Sequence, residues 1–98
     1  MGHGPVKKEP LRARALVRIP DPQGLHARPC ALLAKIAGKH KAQAWIKTPK
    51  GKADPRSVLE LMILSAGGSE ELEIEAEGAD APALVEALAR TIRELDPT

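Results

Sequence analysis

The run Gly24-Leu25-His26-Ala27-Arg28-Pro29-Cys30 holds the residues best suited to chemistry in this chain. Neutral imidazole is a good nucleophile near physiological pH, because its unperturbed pKa is about 6.5. The pattern that follows reads as a helix, so His26 stands at a helix mouth. The N–H groups of a helix N-terminus form a ready anion site. The guanidinium of Arg28, two residues on, adds bidentate hydrogen bonds to an oxyanion. Pro29 fits the first turn, where N–H groups have no intrahelical partner. Together these residues describe a histidine able to carry a phosphoryl group.

The rest of the chain must position that segment. Ninety-eight residues make one domain with a modest core. Hydrophobic residues are 43% of the sequence, but Phe and Tyr are absent and Trp occurs once, so the core must come from Leu, Ile, Val and Ala. Such side chains bury less area each, which predicts ordinary stability. Fifteen basic and thirteen acidic residues leave a net charge of +2. That balance, without aromatics to stack on bases, argues against a nucleic-acid binder. Cys30 is the only cysteine, which excludes an internal disulfide and a thiolate metal cluster, and no motif asks for a metal or cofactor. No apolar run reaches the ~18 residues of a membrane span, and residues 1–10 lack the apolar centre of a signal peptide. Val6 stands where a myristoylation pattern wants Ser or Thr. A soluble cytoplasmic protein is the simplest expectation.

Taken in order, residues 1–10 (MGHGPVKKEP) have no periodicity and read as a mobile tail, with His3 inert, ahead of a folded domain over 11–98. Residues 13–19 alternate as a strand, with Ala13, Ala15, Val17 and Ile19 inward and Arg14, Leu16 and Arg18 outward. Residues 20–24 supply a loop. A helix over 27–38 buries Cys30, Leu33, Ala34 and Ala37 and stops at Gly38. Leu32 and Ile36 lie off that stripe and read either as a wider core face or as a docking patch. A second strand over 42–48 turns Ala44 and Ile46 inward and Trp45 outward, and Pro49-Lys50-Gly51 leads into a short third strand. Ser57 or Asp54 caps a short helix that runs to about Leu64.

The clearest alternation follows Gly67-Gly68. Leu72, Ile74 and Ala76 face one way, and Glu71, Glu73, Glu75 and Glu77 the other. Four carboxylates on one face need basic neighbours, which Arg14, Arg18 and Lys47 can supply across strands, so the ladder is a charge-paired surface rather than a metal site. Leu16 and Trp45 share that face, either as a self-association patch or packed against the ladder. Gly78-Ala79-Asp80 caps a last helix from Ala81 to Leu95, with Leu84, Leu88, Ile92 and Leu95 buried. The order β-α-β-β-α-β-α, with one-sided strands, predicts an α+β fold. One mainly antiparallel four-stranded sheet would carry three helices on a single face.

Gly24-Leu25-His26-Ala27-Arg28-Pro29 resembles the phosphorylation-site motif of the HPr family, the histidine phosphocarriers of the bacterial phosphoenolpyruvate:sugar phosphotransferase system. Gly51-Lys52, Arg56-Ser57-Val58-Leu59-Glu60-Leu61-Met62 and Ile74-Glu75-Ala76-Glu77-Gly78 resemble it too, in the family's order and at its spacing from His26 to Ser57. The resemblance runs from about Arg12 to Leu95. It implies an open-faced β-sandwich, with His26 phosphorylated through Nδ1 and Arg28 neutralising the phosphoryl oxygens. It implies Ser57 as a regulatory serine, the target of an ATP-dependent kinase. Enzyme I would be the donor and sugar-specific IIA domains the acceptors, so the chain is a stoichiometric carrier more than a turnover enzyme. The docking face would combine Ala27 and Arg28 with Val58, Leu59 and Met62.

The chemistry agrees with these roles, since a labile N–P bond suits a relay and a serine phosphate ester suits a lasting switch. The sequence also departs from the family pattern. Gln23 stands where Asn is common, Cys30 where Ala is usual and His40 where an aromatic is frequent, Ser65-Ala66-Gly67-Gly68 differs, and Glu60 adds an acid beside the docking surface. Charge governs transient docking, so these changes leave two further readings open. One is a regulatory relative in a nitrogen-related or protein-modulating role. The other is an interaction module that keeps only the fold.

Overall fold

A computed structural model describes residues 11–19, 25–64 and 71–95. The elements are β1 (Arg12–Arg18), α1 (Ala27–Gly38), β2 (Gln43–Thr48), β3 (Gly51–Ala53), α2 (Val58–Leu64), β4 (Glu71–Glu77) and α3 (Ala81–Arg93). The four strands form one sheet in the order β1-β4-β2-β3, with every neighbour antiparallel. β4 lies between β1 and β2, so its alternation is imposed from both sides. Leu72, Ile74 and Ala76 are buried, while the glutamates line the open face. The N-terminal tail, the 20–24 loop and Ser65-Ala66-Gly67-Gly68 lie outside the described residues.

The helices cover the other face. α3 brings Leu84, Leu88 and Ile92 onto the sheet as its 3.6-residue period requires, and Ala81, Val85 and Ala89 widen the stripe. Leu95 lies past the end of α3 and is only partly buried. In α1 the buried residues are Pro29, Cys30, Leu33 and Ala37, while Ala34 is half-buried. The off-stripe pair divides: Ile36 packs against the core edge, and Leu32 is exposed. The core is aliphatic throughout, as a sequence without Phe or Tyr demands.

On the open face the acids are paired as cross-strand charges require. Arg14 reaches Glu73 at 2.9 Å and Lys47 reaches Glu75 at 3.1 Å. Arg12, one residue before the expected strand, sits opposite Glu77 at 3.7 Å, and Arg18 stands in register with Glu71. Leu16 is exposed there. Trp45 is half-buried in a shallow groove of about 200 Å³ lined also by Arg12, Lys47 and Glu75. These surface pairs are each worth no more than about 1 kcal/mol; their main effect is to let four carboxylates share a strand.

α1 ends at Gly38 as the sequence predicts, while the cap of α3 differs from the expectation. Gly38 is the last residue of α1 and does not adopt a positive φ. The exposed carbonyls are met instead by the Lys39 and His40 N–H groups and by the His40 ring, whose Nδ1 donates to the Ile36 carbonyl at 2.8 Å. Asp80 occupies the N-cap position of α3 but its side chain makes no capping bond. Its carboxylate accepts the N–H groups of Lys41 (2.9 Å) and Ala42 (2.7 Å), tying the α1–β2 connection to the β4–α3 turn. Those two donors outcompete the helix because the connection would otherwise leave them unpaired. The glycine this junction needs is Gly78, at φ +143, where a Cβ would stand 2.9 Å from the Ala42 Cα.

Candidate functional site

Burial orients the His26 segment. Leu25, Pro29 and Cys30 are buried, and His26, Ala27 and Arg28 between them are exposed. Leu25 anchors one side and its carbonyl lies 3.8 Å from the Cys30 Sγ. The apolar residues thus fix the start of α1 to the core and turn the three residues between them outward. His26 is the N-cap of α1, with an extended backbone (φ −98, ψ −174), and its carbonyl accepts the Cys30 N–H at 3.1 Å. Its side chain makes no capping bond to the helix. The N–H groups of Ala27 and Arg28 precede that first i→i−4 bond, and Pro29 contributes none, so both open onto the helix mouth.

The electrostatics of this mouth are one-sided. No acidic residue occupies the first turn of α1, and Arg28 places a cation there. A helix N-terminus favours negative charge, so an arginine is locally unfavourable. A site that breaks a local preference in this way is completed by something else, and an oxyanion beside His26 would satisfy the backbone N–H groups and the guanidinium together. Cys30 takes no part in such chemistry: burial pushes its thiol up to about 11, so it stays protonated and unreactive at neutral pH.

α2 packs beside α1 and carries the other predicted residues. Ser57 is its N-cap; the Ser57 Oγ accepts the Glu60 N–H at 3.1 Å. Asp54, the other capping candidate, shapes the preceding turn instead, with its carboxylate accepting the Arg56 N–H at 2.8 Å. The Glu60 carboxylate closes the same turn by accepting the Asp54 N–H at 3.0 Å. Arg56 anchors the turn to the α1–β2 connection, its Nη2 donating to the His40 and Ala42 carbonyls at 3.0 Å each.

Among the predicted docking residues, Leu59 (68% exposed) and Met62 (36%) face solvent. Val58 is half-buried against the core and offers only part of its side chain. Ile63, 67% exposed, shares the outward face of Leu59 four residues before it and is not among the predicted docking residues. Leu32 of α1 is exposed as well.

Comparison with known proteins agrees with this geometry. The family model described as the HPr component phosphorylation site of the phosphotransferase system matches residues 13–94. The phosphocarrier protein HPr of Mycoplasma genitalium is 38% identical over 63 residues, 63% of this chain and 72% of its own length. The phosphocarrier protein NPr of Klebsiella oxytoca is 32% identical over 83 residues, 84% of this chain and 89% of its own. The crystal structure of HPr from Bacillus anthracis superposes with a TM-score of 0.75 at 30% identity, covering 83% of this chain and 96% of that one. A histidine at an open helix mouth, on a four-stranded antiparallel sheet under three helices, is therefore accounted for by ancestry as well as by chemistry: the chain belongs to the HPr family of phosphocarriers of the phosphotransferase system.

Proposed function

We propose that His26 is the phosphoryl acceptor, that enzyme I is its donor, and that IIA domains receive the group in turn. The observation that carries this reading is the exposed N-cap position of His26, with Arg28 two residues on and no acid in the first turn. The unprotonated ring nitrogen attacks phosphorus in line; as the Nδ1–P bond forms, the donor's bond to phosphorus breaks, and the proton stays on Nε2. The Ala27 and Arg28 N–H groups and the Arg28 guanidinium hold the phosphoryl oxygens. Ser57 is the regulatory site for an ATP-dependent kinase, and Ala27, Val58, Leu59 and Met62 form the docking face. The work is that of a carrier in the cytoplasm, done by the folded domain over 11–98.

Weak, fast exchange between partners requires a small contact, and the exposed Leu59 and Met62 beside an open helix mouth supply one. The test is incubation with enzyme I and phosphoenolpyruvate. The native chain gains one acid-labile phosphate and His26→Ala gains none while keeping its circular dichroism spectrum; acid-labile phosphate retained by that variant overturns the assignment. The alternative is a second set of acceptors, regulatory rather than sugar-specific. Discharge of the phosphorylated chain by a sugar-specific IIA domain separates the two.

A further inference from the structure

The Ser57 turn holds an acid with two partners, and its position bears on what Ser57 can become. The Glu60 backbone N–H donates to the Ser57 Oγ at 3.1 Å, and the Glu60 carboxylate folds back to accept the Asp54 N–H at 3.0 Å. The Ser57 N–H in turn donates to the Asp54 carbonyl at 2.9 Å. Residues 54–60 are thereby closed on themselves, with the Glu60 carboxylate held within the turn that Ser57 caps. The second nearby acid, Asp54, is also fixed in the turn through the Arg56 N–H. Within residues 54–60 the cation is Arg56, whose guanidinium is directed away to the His40 and Ala42 carbonyls, while Lys50 and Lys52 line a groove with Glu60. A phosphate on Ser57 would enter a turn that already carries two carboxylates.

We infer that Glu60 is a specificity-determining residue that opposes Ser57 phosphorylation, by charge repulsion and by fixing the serine hydroxyl as a hydrogen-bond acceptor. This rests on the reading of Ser57 as a kinase target and goes beyond it. In the reaction at issue the Ser57 Oγ forms a bond to the γ-phosphorus of a nucleoside triphosphate. The bond from that phosphorus to the β-bridging oxygen breaks, the nucleoside diphosphate leaves, and the hydroxyl proton passes to the kinase base. Both the incoming γ-phosphate and the product dianion are repelled by Glu60. The Ser57 Oγ must also give up its bond with the Glu60 N–H to attack the γ-phosphorus in line. Like charges at this spacing act even at an exposed surface.

Glu60→Gln removes the charge and keeps an oxygen to accept the Asp54 N–H, so the clasp and the fold survive. Two measurements on the full chain decide the matter. The first is the initial rate of Ser57 phosphorylation by an HPr serine kinase with ATP, expected to be roughly two- to fivefold higher in Glu60→Gln, the range for exposed unit charges. The second needs no kinase: Ser57→Asp is combined with Glu60→Gln in a thermal-denaturation cycle, and the acid at 57 should lower Tm less when residue 60 is neutral. A faster rate with non-additive Tm shifts supports the inference. Equal rates, or additive Tm shifts whatever the rates, overturn it. Absence of phosphate on Ser57 in both chains refutes the kinase-target reading instead, and the thermal cycle still decides whether Glu60 repels charge at that position.

Discussion

Gly78→Ala should cost this protein a large share of its stability while sparing its chemistry. At φ +143 a side chain is strained wherever it points, which costs about 1–3 kcal/mol. The added Cβ would also stand 2.9 Å from the Ala42 Cα and 3.0 Å from its Cβ. Ala42 cannot retreat easily, since its N–H is held by Asp80 at 2.7 Å and its carbonyl by Arg56 at 3.0 Å. Gly78 is held as well, its N–H donating to the Leu11 carbonyl at 2.8 Å. Overpacking of this kind adds about 1–3 kcal/mol. The sum, about 2–6 kcal/mol, corresponds to a fall in Tm of at least about 8 °C for a domain of this size. Thermal melts followed by circular dichroism at two wavelengths measure it and test two-state behaviour. A fall of under about 2 °C would refute the close approach. The junction meets α1 at its C-terminal end, about 18 Å of helix from His26, so the folded variant should accept phosphate at 20 °C as the native chain does.

Three further outcomes follow from titration and capping. The Lys41 and Ala42 N–H groups hold the Asp80 carboxyl below its ordinary value. Its contribution to stability is therefore complete above the unfolded pKa of about 3.9 and is lost as pH falls through the folded value. Tm measured from pH 2 to 6 should show Asp80→Asn less stable than the native chain at pH 6, with the gap closing in acid; a gap constant with pH contradicts the two-donor clasp. Burial raises the Cys30 thiol from 9.0 to about 11, so its contribution is complete below pH 9 and fades as pH rises through 11. At full ionisation the loss is about 3 kcal/mol, and Cys30→Ala should flatten the alkaline limb of the Tm profile. Ser57→Ala removes the bond to the Glu60 N–H and should lower stability by about 1 kcal/mol, read from urea midpoints.

What the sequence made legible was local. α1 has the bounds expected of it because its stripe of Cys30, Leu33 and Ala37 has the helical period, and β4 shows its alternation without any knowledge of its neighbours. The exposure of His26 and Arg28 is set by the burial of Leu25, Pro29 and Cys30 around them, of which the helical stripe showed only Cys30. The parts that escaped are set by distant partners. Asp80 reads as a cap because aspartate before a helix usually is one; its true donors lie 38 and 39 residues earlier in the chain. Arg12 joins the charge ladder through the β1–β4 register, which a single strand cannot reveal. The end of α1 at Gly38 is legible, but the His40 ring bond to the Ile36 carbonyl that helps finish it is not. Ile63 has the spacing to share the Leu59 face, and the packing of α2 turns that face away from the core.

The central claim is that one imidazole, at the open end of α1, carries the phosphoryl group. Its most direct test is site mapping by mass spectrometry under alkaline conditions, after incubation with enzyme I and phosphoenolpyruvate, with phosphorus NMR to identify the bonded nitrogen. A single phosphate on His26 is expected, bonded at Nδ1, lost in acid and discharged on adding a IIA domain. Phosphate mapped to His40, or a chain that enzyme I leaves unlabelled, would contradict it.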